Sequence, residues 1–147
     1  MAERMFNIEE AEKMLPQVES WLRTAIESKK KIVEIEDEYK DLLRSVSLAG
    51  GRVIDVPYWI TRKRQSEEWS SQLRSAAEQI QNSGCLLKDL DIGLIDFPCE
   101  VDGREIYLCW KLGEPAIAFW HNTDEGFAGR KPIDDKFMDG FKRLRPM

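Results

Sequence analysis

Three cysteines and a single histidine are the side chains of this sequence best suited to bind a metal or act as nucleophiles. They occur as Cys85, Cys99, Cys109 and His121, and they are separated by 13, 9 and 11 intervening residues. Structural zinc sites usually contain close cysteine pairs, with two to four residues between the ligands. The wide spacing favours buried free thiols instead, because cysteine is among the most often buried residue types. We therefore expect no metal site and no cofactor.

A second group of polar side chains follows the last predicted strand. His121 ends that strand, and Arg130 borders a loop whose Gly126 and Gly129 allow backbone N–H groups to form a small anion nest. The loop lacks the Walker spacing and the chain has no G-x-S-x-G motif, so we expect neither a P-loop nucleotide site nor a serine hydrolase. The candidate binding pocket consists of His121, Asp124, Arg130 and Glu114. The alternative is a hydrogen-bonded histidine that only holds the loop in place.

The composition is typical of a globular protein with long, solvated helices. The 147 residues are 33% charged and 42% hydrophobic, and the formal net charge is −5. This length predicts one domain over residues 1–147, with a helical part (1–84) and a β part (85–147). Because basic residues are not in excess, we expect no nucleic-acid partner. The chain has no run of about 20 apolar residues that would span a membrane, and its few cysteines, odd in number, favour the cytoplasm.

The first residues match a helix start. Asn7 and Glu10 have the spacing of a capping box, in which each side chain accepts a hydrogen bond from the backbone of the other. Pro16 follows within two turns, and a proline inside a helix removes a hydrogen bond and clashes with the preceding turn. We expect this first helix to end near Met14 or to kink there.

A long apolar stripe then indicates an antiparallel helical hairpin. Positions three and four residues apart are apolar over four heptads, with one serine among them, which is the spacing of a coiled-coil seam. They are Val18, Trp21, Ala25, Ser28, Ile32, Ile35, Tyr39, Leu42 and Val46. A second apolar period follows Asp55 and Pro57, which match a helix start. The sequence predicts helices at about residues 17–48 and 57–83, joined by a short connection.

After Gly84 the apolar period changes to two, which is typical of strands. Asp102-Gly103 is a strong signal for a two-residue hairpin turn. That turn pairs Cys99 with Ile106, Phe97 with Leu108 and Ile95 with Trp110, and it places all six on one face. We expect three antiparallel strands at about 94–100, 104–112 and 116–121, with the apolar face packed against the helical stripe.

The register of the third strand depends on the length of the loop at 113–115. Ile117 and Phe119 are larger than their neighbours and are expected to face the core, which requires a loop of two or four residues. His121 then also lies on the core-facing side, with partners only in the following loop. A three-residue loop would instead move His121 to the opposite face, next to Asp96.

The predicted fold is α+β, with the long hairpin packed on the three-stranded meander and a short helix at the C-terminus. Asp134 is the expected cap of that last helix, and its apolar side is formed by Phe137, Phe141 and Leu144.

An ordered series of motifs in the second half resembles a known family. The series contains Lys88-Asp-Leu-Asp-Ile-Gly-Leu-Ile-Asp-Phe-Pro98, Asp102-Gly-Arg104, Leu108-Cys-Trp-Lys-Leu-Gly-Glu-Pro115, Trp120-His121 and Gly126-Phe-Ala-Gly-Arg-Lys-Pro-Ile133. With the opening Phe6-x-x-Glu-Glu-Ala11, it resembles the uncharacterised bacterial family catalogued as domain of unknown function 2203. The family has no established activity, cofactor or partner, so the resemblance implies none.

Two functions from different classes remain open. The first is a non-enzymatic cytoplasmic interaction module, which self-associates as a homodimer through its helices because one small sheet cannot cover the whole stripe. The second is a protein, or an enzyme, that binds a small anion in the polar pocket after the third strand. The absence of catalytic motifs favours the first hypothesis, and the cluster of polar residues favours the second.

Overall fold

Two long helices and one antiparallel sheet make up the fold. The computed structural model describes residues 4–51, 53–135 and 137. The helices are α1 (Ile8–Ala49) and α2 (Val56–Asn82), and they form an antiparallel hairpin. The strands are β1 (Leu86–Asp89), β2 (Leu94–Val101), β3 (Arg104–Lys111), β4 (Phe119–Asn122) and β5 (Lys131–Pro132). They pair in sequence order and every pair is antiparallel, so the sheet is a meander and the α+β prediction is confirmed.

The capping box at the start of α1 is confirmed, but the helix does not end at Met14. The Glu10 N–H donates to the Asn7 side chain at 2.7 Å, and the Asn7 N–H donates to the Glu10 carboxylate at 3.0 Å. α1 then continues through Pro16 to its end. Buried Leu15 and Val18 pack in the core on both sides of the proline, and this burial offsets the lost hydrogen bond.

The sheet has five strands, so the prediction of three strands is wrong. Sequence reasoning missed β1 because its four residues, Leu-Leu-Lys-Asp, show no alternation of apolar and polar residues. It missed β5 because that strand has only two residues and one of them is a proline, which occurs mainly on sheet edges. The predicted C-terminal helix falls mostly on residues 138–147, outside the described residues. Among the described residues after β4, a 3-10 turn is formed by Phe127–Gly129, Asp135 and Phe137 are helical, and the Phe137 N–H donates to the Asp134 side chain, as expected of a cap.

The β2–β3 hairpin has the predicted register. Asp102 and Gly103 both have positive φ, as a tight two-residue turn requires. The three predicted cross-strand pairs form, and their six side chains are buried in one core cluster with residues of both helices. The prediction that this face packs on the hairpin is therefore confirmed. In the described part of the chain, neither helix is apolar enough over its length to cross a membrane.

The predicted register of the third strand is wrong, because the connection after β3 acts as a three-residue loop. Cys109 pairs with Phe119, and Leu108 pairs with Trp120. The Lys111 N–H donates to the Glu114 carboxylate at 2.7 Å, which tightens the turn. Ile117 is buried as expected, but it lies before β4 and its N–H donates to Glu12 of α1 at 2.9 Å. Helix α1 thus holds the chain out of the sheet until Phe119.

Candidate functional site

The register of β4 on β3 brings Asp96, Cys109 and His121 together on the outer face of the sheet, away from the helical hairpin. Asp96 is the cross-strand partner of Cys109, and His121 lies opposite Tyr107, two residues from Cys109 along β3. The three side chains are buried, with 1%, 0% and 2% of their surface exposed. A carboxylate O, a thiol S and a ring N lie within 4.8 Å of one another. Three neighbouring strands therefore build one compact polar cluster.

Hydrogen bonds fix the histidine ring on both sides. Its Nε2 atom lies 3.0 Å and 3.1 Å from the two carboxylate oxygens of Asp96. Its Nδ1 atom lies 2.8 Å from the backbone carbonyl oxygen of Asn122. A carbonyl only accepts, so Nδ1 carries the proton of this bond. A positive charge, either a second proton or a metal ion, must then lie between Nε2 and the Asp96 carboxylate.

Burial determines the charge states around the cluster. Loss of solvent raises the pKa of Asp96, while the charge of His121 and its hydrogen bond act in the opposite direction. Burial together with the Asp96 charge raises the pKa of the Cys109 thiol to about 12. Cys109 is therefore a neutral thiol at pH 7 in the metal-free protein, and it lacks the depressed pKa of a nucleophilic cysteine.

Aromatic and cationic side chains lie around the cluster. The Tyr107 ring contacts the His121 ring edge-on, with centroids 5.6 Å apart. The Lys88 ammonium lies 4.9 Å from the centre of the Tyr107 ring. Phe119, the neighbour of Cys109 on β4, carries the Arg130 guanidinium 4.0 Å above its ring. These groups limit water access to the cluster and add positive potential at its edge.

The structure separates the four side chains of the predicted pocket. Glu114 and Arg130 meet, since both carboxylate oxygens of Glu114 lie within 2.8 Å of Arg130 Nη2. His121 is instead bound to Asp96, and Asp124 is exposed in the turn after β4. Arg130 Nε is buried and has no hydrogen-bond partner among the described residues.

Glu125 occupies the loop where the anion nest was predicted. Its Oε1 atom accepts hydrogen bonds from Asn122, through backbone and side chain, and from Lys131 at 2.6 Å. The Lys131 and Asn122 hydrogen bonds hold the pKa of Glu125 at about 2, below its usual range. Glu125 therefore receives the donors of Asn122 and Lys131, and the N–H groups of Gly129 and Arg130 donate to the carbonyls of Gly126 and Phe127, so these donors are not left for an external anion.

Sequence reasoning missed Asp96 and Cys109 as partners of His121. A loop of two or four residues at 113–115 predicts that both lie on the face opposite His121. The signal that could have found them was the three-residue alternative, which moves His121 next to Asp96.

A separate feature lies on the surface, at the end of the helical hairpin where α1 is connected to α2. Nine of the eleven large hydrophobic side chains that are exposed in the described chain belong to residues 33–60, which we call the distal patch. They are Val33, Tyr39, Leu43, Leu48, Val53, Ile54, Val56, Tyr58 and Ile60. Part of the distal patch lines a groove of about 690 Å³ between the two helices.

The fold and these two features define a class: an α+β protein with a helical hairpin on an antiparallel meander and a buried Asp–Cys–His cluster. The chain belongs to the family described as "Uncharacterized conserved protein (DUF2203)", whose model matches residues 4–133. The matched range contains both helices, all five strands and all three residues of the cluster. No curated protein and no solved structure matches the chain.

Proposed function

We propose that this protein is a non-enzymatic, cytoplasmic interaction module that forms a homodimer through the distal patch. The observation that carries the proposal is the concentration of exposed apolar side chains on one end of the hairpin. Exposed apolar side chains concentrated in one region usually mark a protein–protein contact. The cytoplasmic assignment rests on three cysteines that are all free and buried.

The length of the hairpin explains why the distal patch is uncovered. α1 has 42 residues, or about 63 Å, whereas the longest strands have eight residues, or about 27 Å. Towards the connection, the last buried residue of α1 is Ile35, and no residue of α2 before Ala76 is buried. Beyond these positions, towards the connection, the described structure buries no residue of either helix against the sheet. A two-helix pair cannot bury an apolar stripe on more than one side.

Charges beside the groove favour a second copy as the partner. Glu36 on α1 and Lys63 on α2 both line the groove, both are exposed, and neither forms an ion pair among the described residues. The neighbouring Arg62 is already paired with Glu38 at 2.7 Å. A two-fold axis parallel to the groove places α1 of one copy against α2 of the other copy. Glu36 of each copy then faces Lys63 of the other, so the acidic–basic contact forms twice.

Sedimentation velocity at tens of micromolar, a range suited to weak self-association, tests the dimer. The double variant Tyr39→Glu/Ile60→Glu changes two half-exposed side chains of the distal patch, so the fold should survive. We expect a wild-type dimer and a monomeric double variant with an unchanged helical circular-dichroism spectrum. The matched control, Ile92→Glu, changes a similarly exposed residue between β1 and β2 and should remain a dimer. A monomeric wild type would contradict the proposal.

Binding of a small anion at Arg130 is a second candidate function, because its buried Nε atom is an unused donor. Glu114 already neutralises the guanidinium, so the expected affinity is modest. Inorganic phosphate should raise the Tm of the wild type, and the Arg130→Met variant should lose that rise. An equal rise in both proteins, or none in the wild type, would assign Arg130 a purely structural role.

A further inference from the structure

The contact between His121 Nε2 and the Asp96 carboxylate requires either a proton or a metal ion between the two groups. The Nδ1 proton is used by the Asn122 carbonyl, so a ring without a second proton presents a lone pair from Nε2 towards two carboxylate oxygens. Two acceptors at 3.0 Å repel each other unless a cation lies between them. In a site that is at most 2% exposed, bulk water does not screen this repulsion.

We propose that Asp96, Cys109 and His121 are the ligands of a bound transition-metal ion, with zinc as the best match. Thiol, imidazole and carboxylate are the three ligand types that zinc takes in proteins. The thiol makes the site too soft for Mg²⁺ or Ca²⁺, which prefer oxygen ligands only.

The arrangement of the ligand atoms fits this ion. Zinc bonds of about 2.0–2.3 Å in a tetrahedron separate the ligand atoms by roughly 3.3–3.8 Å. All three ligand atoms here lie within 4.8 Å of one another, and Nε2 and Oδ2 are 3.0 Å apart. Small side-chain rotations of Asp96 and His121 are enough to admit the ion. The ligands come from adjacent antiparallel strands, which hold them rigidly.

The charges of the site also fit a divalent ion. A thiolate from Cys109 and a carboxylate from Asp96 together carry two negative charges, which cancel the charge of Zn²⁺. A neutral site is the form that a buried position tolerates best. Binding releases two protons to solvent, the thiol proton of Cys109 and the proton between His121 Nε2 and the Asp96 carboxylate, so the complex forms without an oxidant or another reactant.

The hydrogen bond from Nδ1–H to the Asn122 carbonyl is the orienting contact that metal-bound histidines usually have. It fixes the tautomer in which Nε2 is free to bind the metal. Glu125 in turn binds both the backbone and the side chain of Asn122, so the carbonyl is held in position. The protein thus supplies three of the four ligands of a zinc tetrahedron.

The test uses the full-length protein, stripped with a chelator and titrated with zinc alone. We expect one zinc per chain by elemental analysis and a higher Tm in the presence of zinc. Cobalt should give a thiolate-to-cobalt charge-transfer band. The Cys109→Ala variant should lose the band and bind zinc at least tenfold more weakly.

Cys99→Ala is the matched control, because Cys99 lies in the same β2–β3 hairpin as Cys109 and is equally buried, but faces the core. It should keep the stoichiometry and the cobalt band. If Cys109→Ala fails to fold, the wild-type cobalt band and the zinc-dependent Tm decide the question alone. A wild type that shows neither change, or a Cys109→Ala variant that binds zinc as tightly as Cys99→Ala, would overturn the proposal. The cation beside Asp96 is then a proton.

Discussion

Tyr107 lies directly opposite His121 across β3 and β4, and the two rings meet edge-on with centroids 5.6 Å apart. This pairing puts His121 on the outer face of the sheet and directs its Nε2 atom to the Asp96 carboxylate. The outer face is usually the solvated side of a two-layer α+β fold. Here it contains a buried polar cluster, so the meander has a structured interior on both sides.

The first prediction concerns the His121→Ala variant in metal-free buffer. Removal of the ring leaves the Asp96 carboxyl buried with the Cys109 thiol as its hydrogen-bond partner but without the histidine, and breaking a buried pair in this way costs about 3–5 kcal/mol. Urea denaturation should show this loss in the free energy of unfolding. The control variant Asp124→Ala changes an exposed side chain of the following turn and should cost less than about 0.5 kcal/mol. Equal stabilities for the two variants would show that the cluster does not stabilise the sheet.

The second prediction concerns the face of the sheet that packs on the hairpin. Leu108 is fully buried in the core cluster, and truncation to alanine should cost about 2–5 kcal/mol through the cavity that it leaves. Phe97, its cross-strand partner, should behave in the same way. Chemical denaturation measures both. A loss below half a kcal/mol for either variant would contradict the packing of this face.

Local signals were enough to predict the helical hairpin and the β2–β3 register, because both depend on residues that are close in sequence. The Asp102-Gly103 turn fixes every β2–β3 pair from the turn as far as Ile95 with Trp110, independently of the rest of the chain. The β3–β4 register depends on contacts between distant residues. The Ile117 N–H donates a hydrogen bond to the Glu12 carboxylate, 105 residues earlier in the chain, and no periodicity of the sequence predicts such a contact.

The candidate site was only partly predictable for the same reason. His121 was identified as a site residue from its type and position, but its partners follow from the register. With the observed pairing of β3 and β4, which is the pairing that a three-residue loop would give, Asp96 and Cys109 become its neighbours on the outer face. The wrong loop length therefore led to the prediction of a pocket of residues close in sequence, instead of the buried cluster.

The third prediction is a loss of stability at alkaline pH that depends on Cys99. Burial raises the pKa of this thiol from 9.0 to about 12, with smaller contributions from the charges of Glu100 and Glu10. Above pH 9 the unfolded chain loses the thiol proton while the folded chain keeps it. Stability therefore falls as pH rises from about 9 to about 12, by about 1.4 kcal/mol per pH unit from this group.

Urea denaturation between pH 9.5 and 11, under reducing conditions, measures this slope. The Cys99→Ala variant is less stable at neutral pH because it leaves a small cavity, but its stability should decrease less steeply with pH than that of the wild type. Tyrosine and lysine titrations are common to both proteins and cancel in the comparison. Parallel curves for the two proteins would show that Cys99 does not titrate as proposed.

The last prediction concerns Glu125, which holds the loop between β4 and β5. Hydrogen bonds from Lys131 and Asn122 lower its pKa from 4.5 to about 2, so the folded state keeps the carboxylate charged at a pH where the unfolded chain is protonated. Its contribution to stability is fully present above about pH 4.5 and is lost as pH falls towards 2. The Lys131→Met variant removes the largest cause and should shift the pKa back towards 4.5. Carboxyl NMR titration measures this shift directly, and Lys29→Met, which removes an ion pair with Asp91 far from the loop in sequence, is the control. If the Glu125 pKa stays at about 2 in the Lys131→Met variant, the backbone and side chain of Asn122 alone hold the carboxylate, and the loop does not need the lysine.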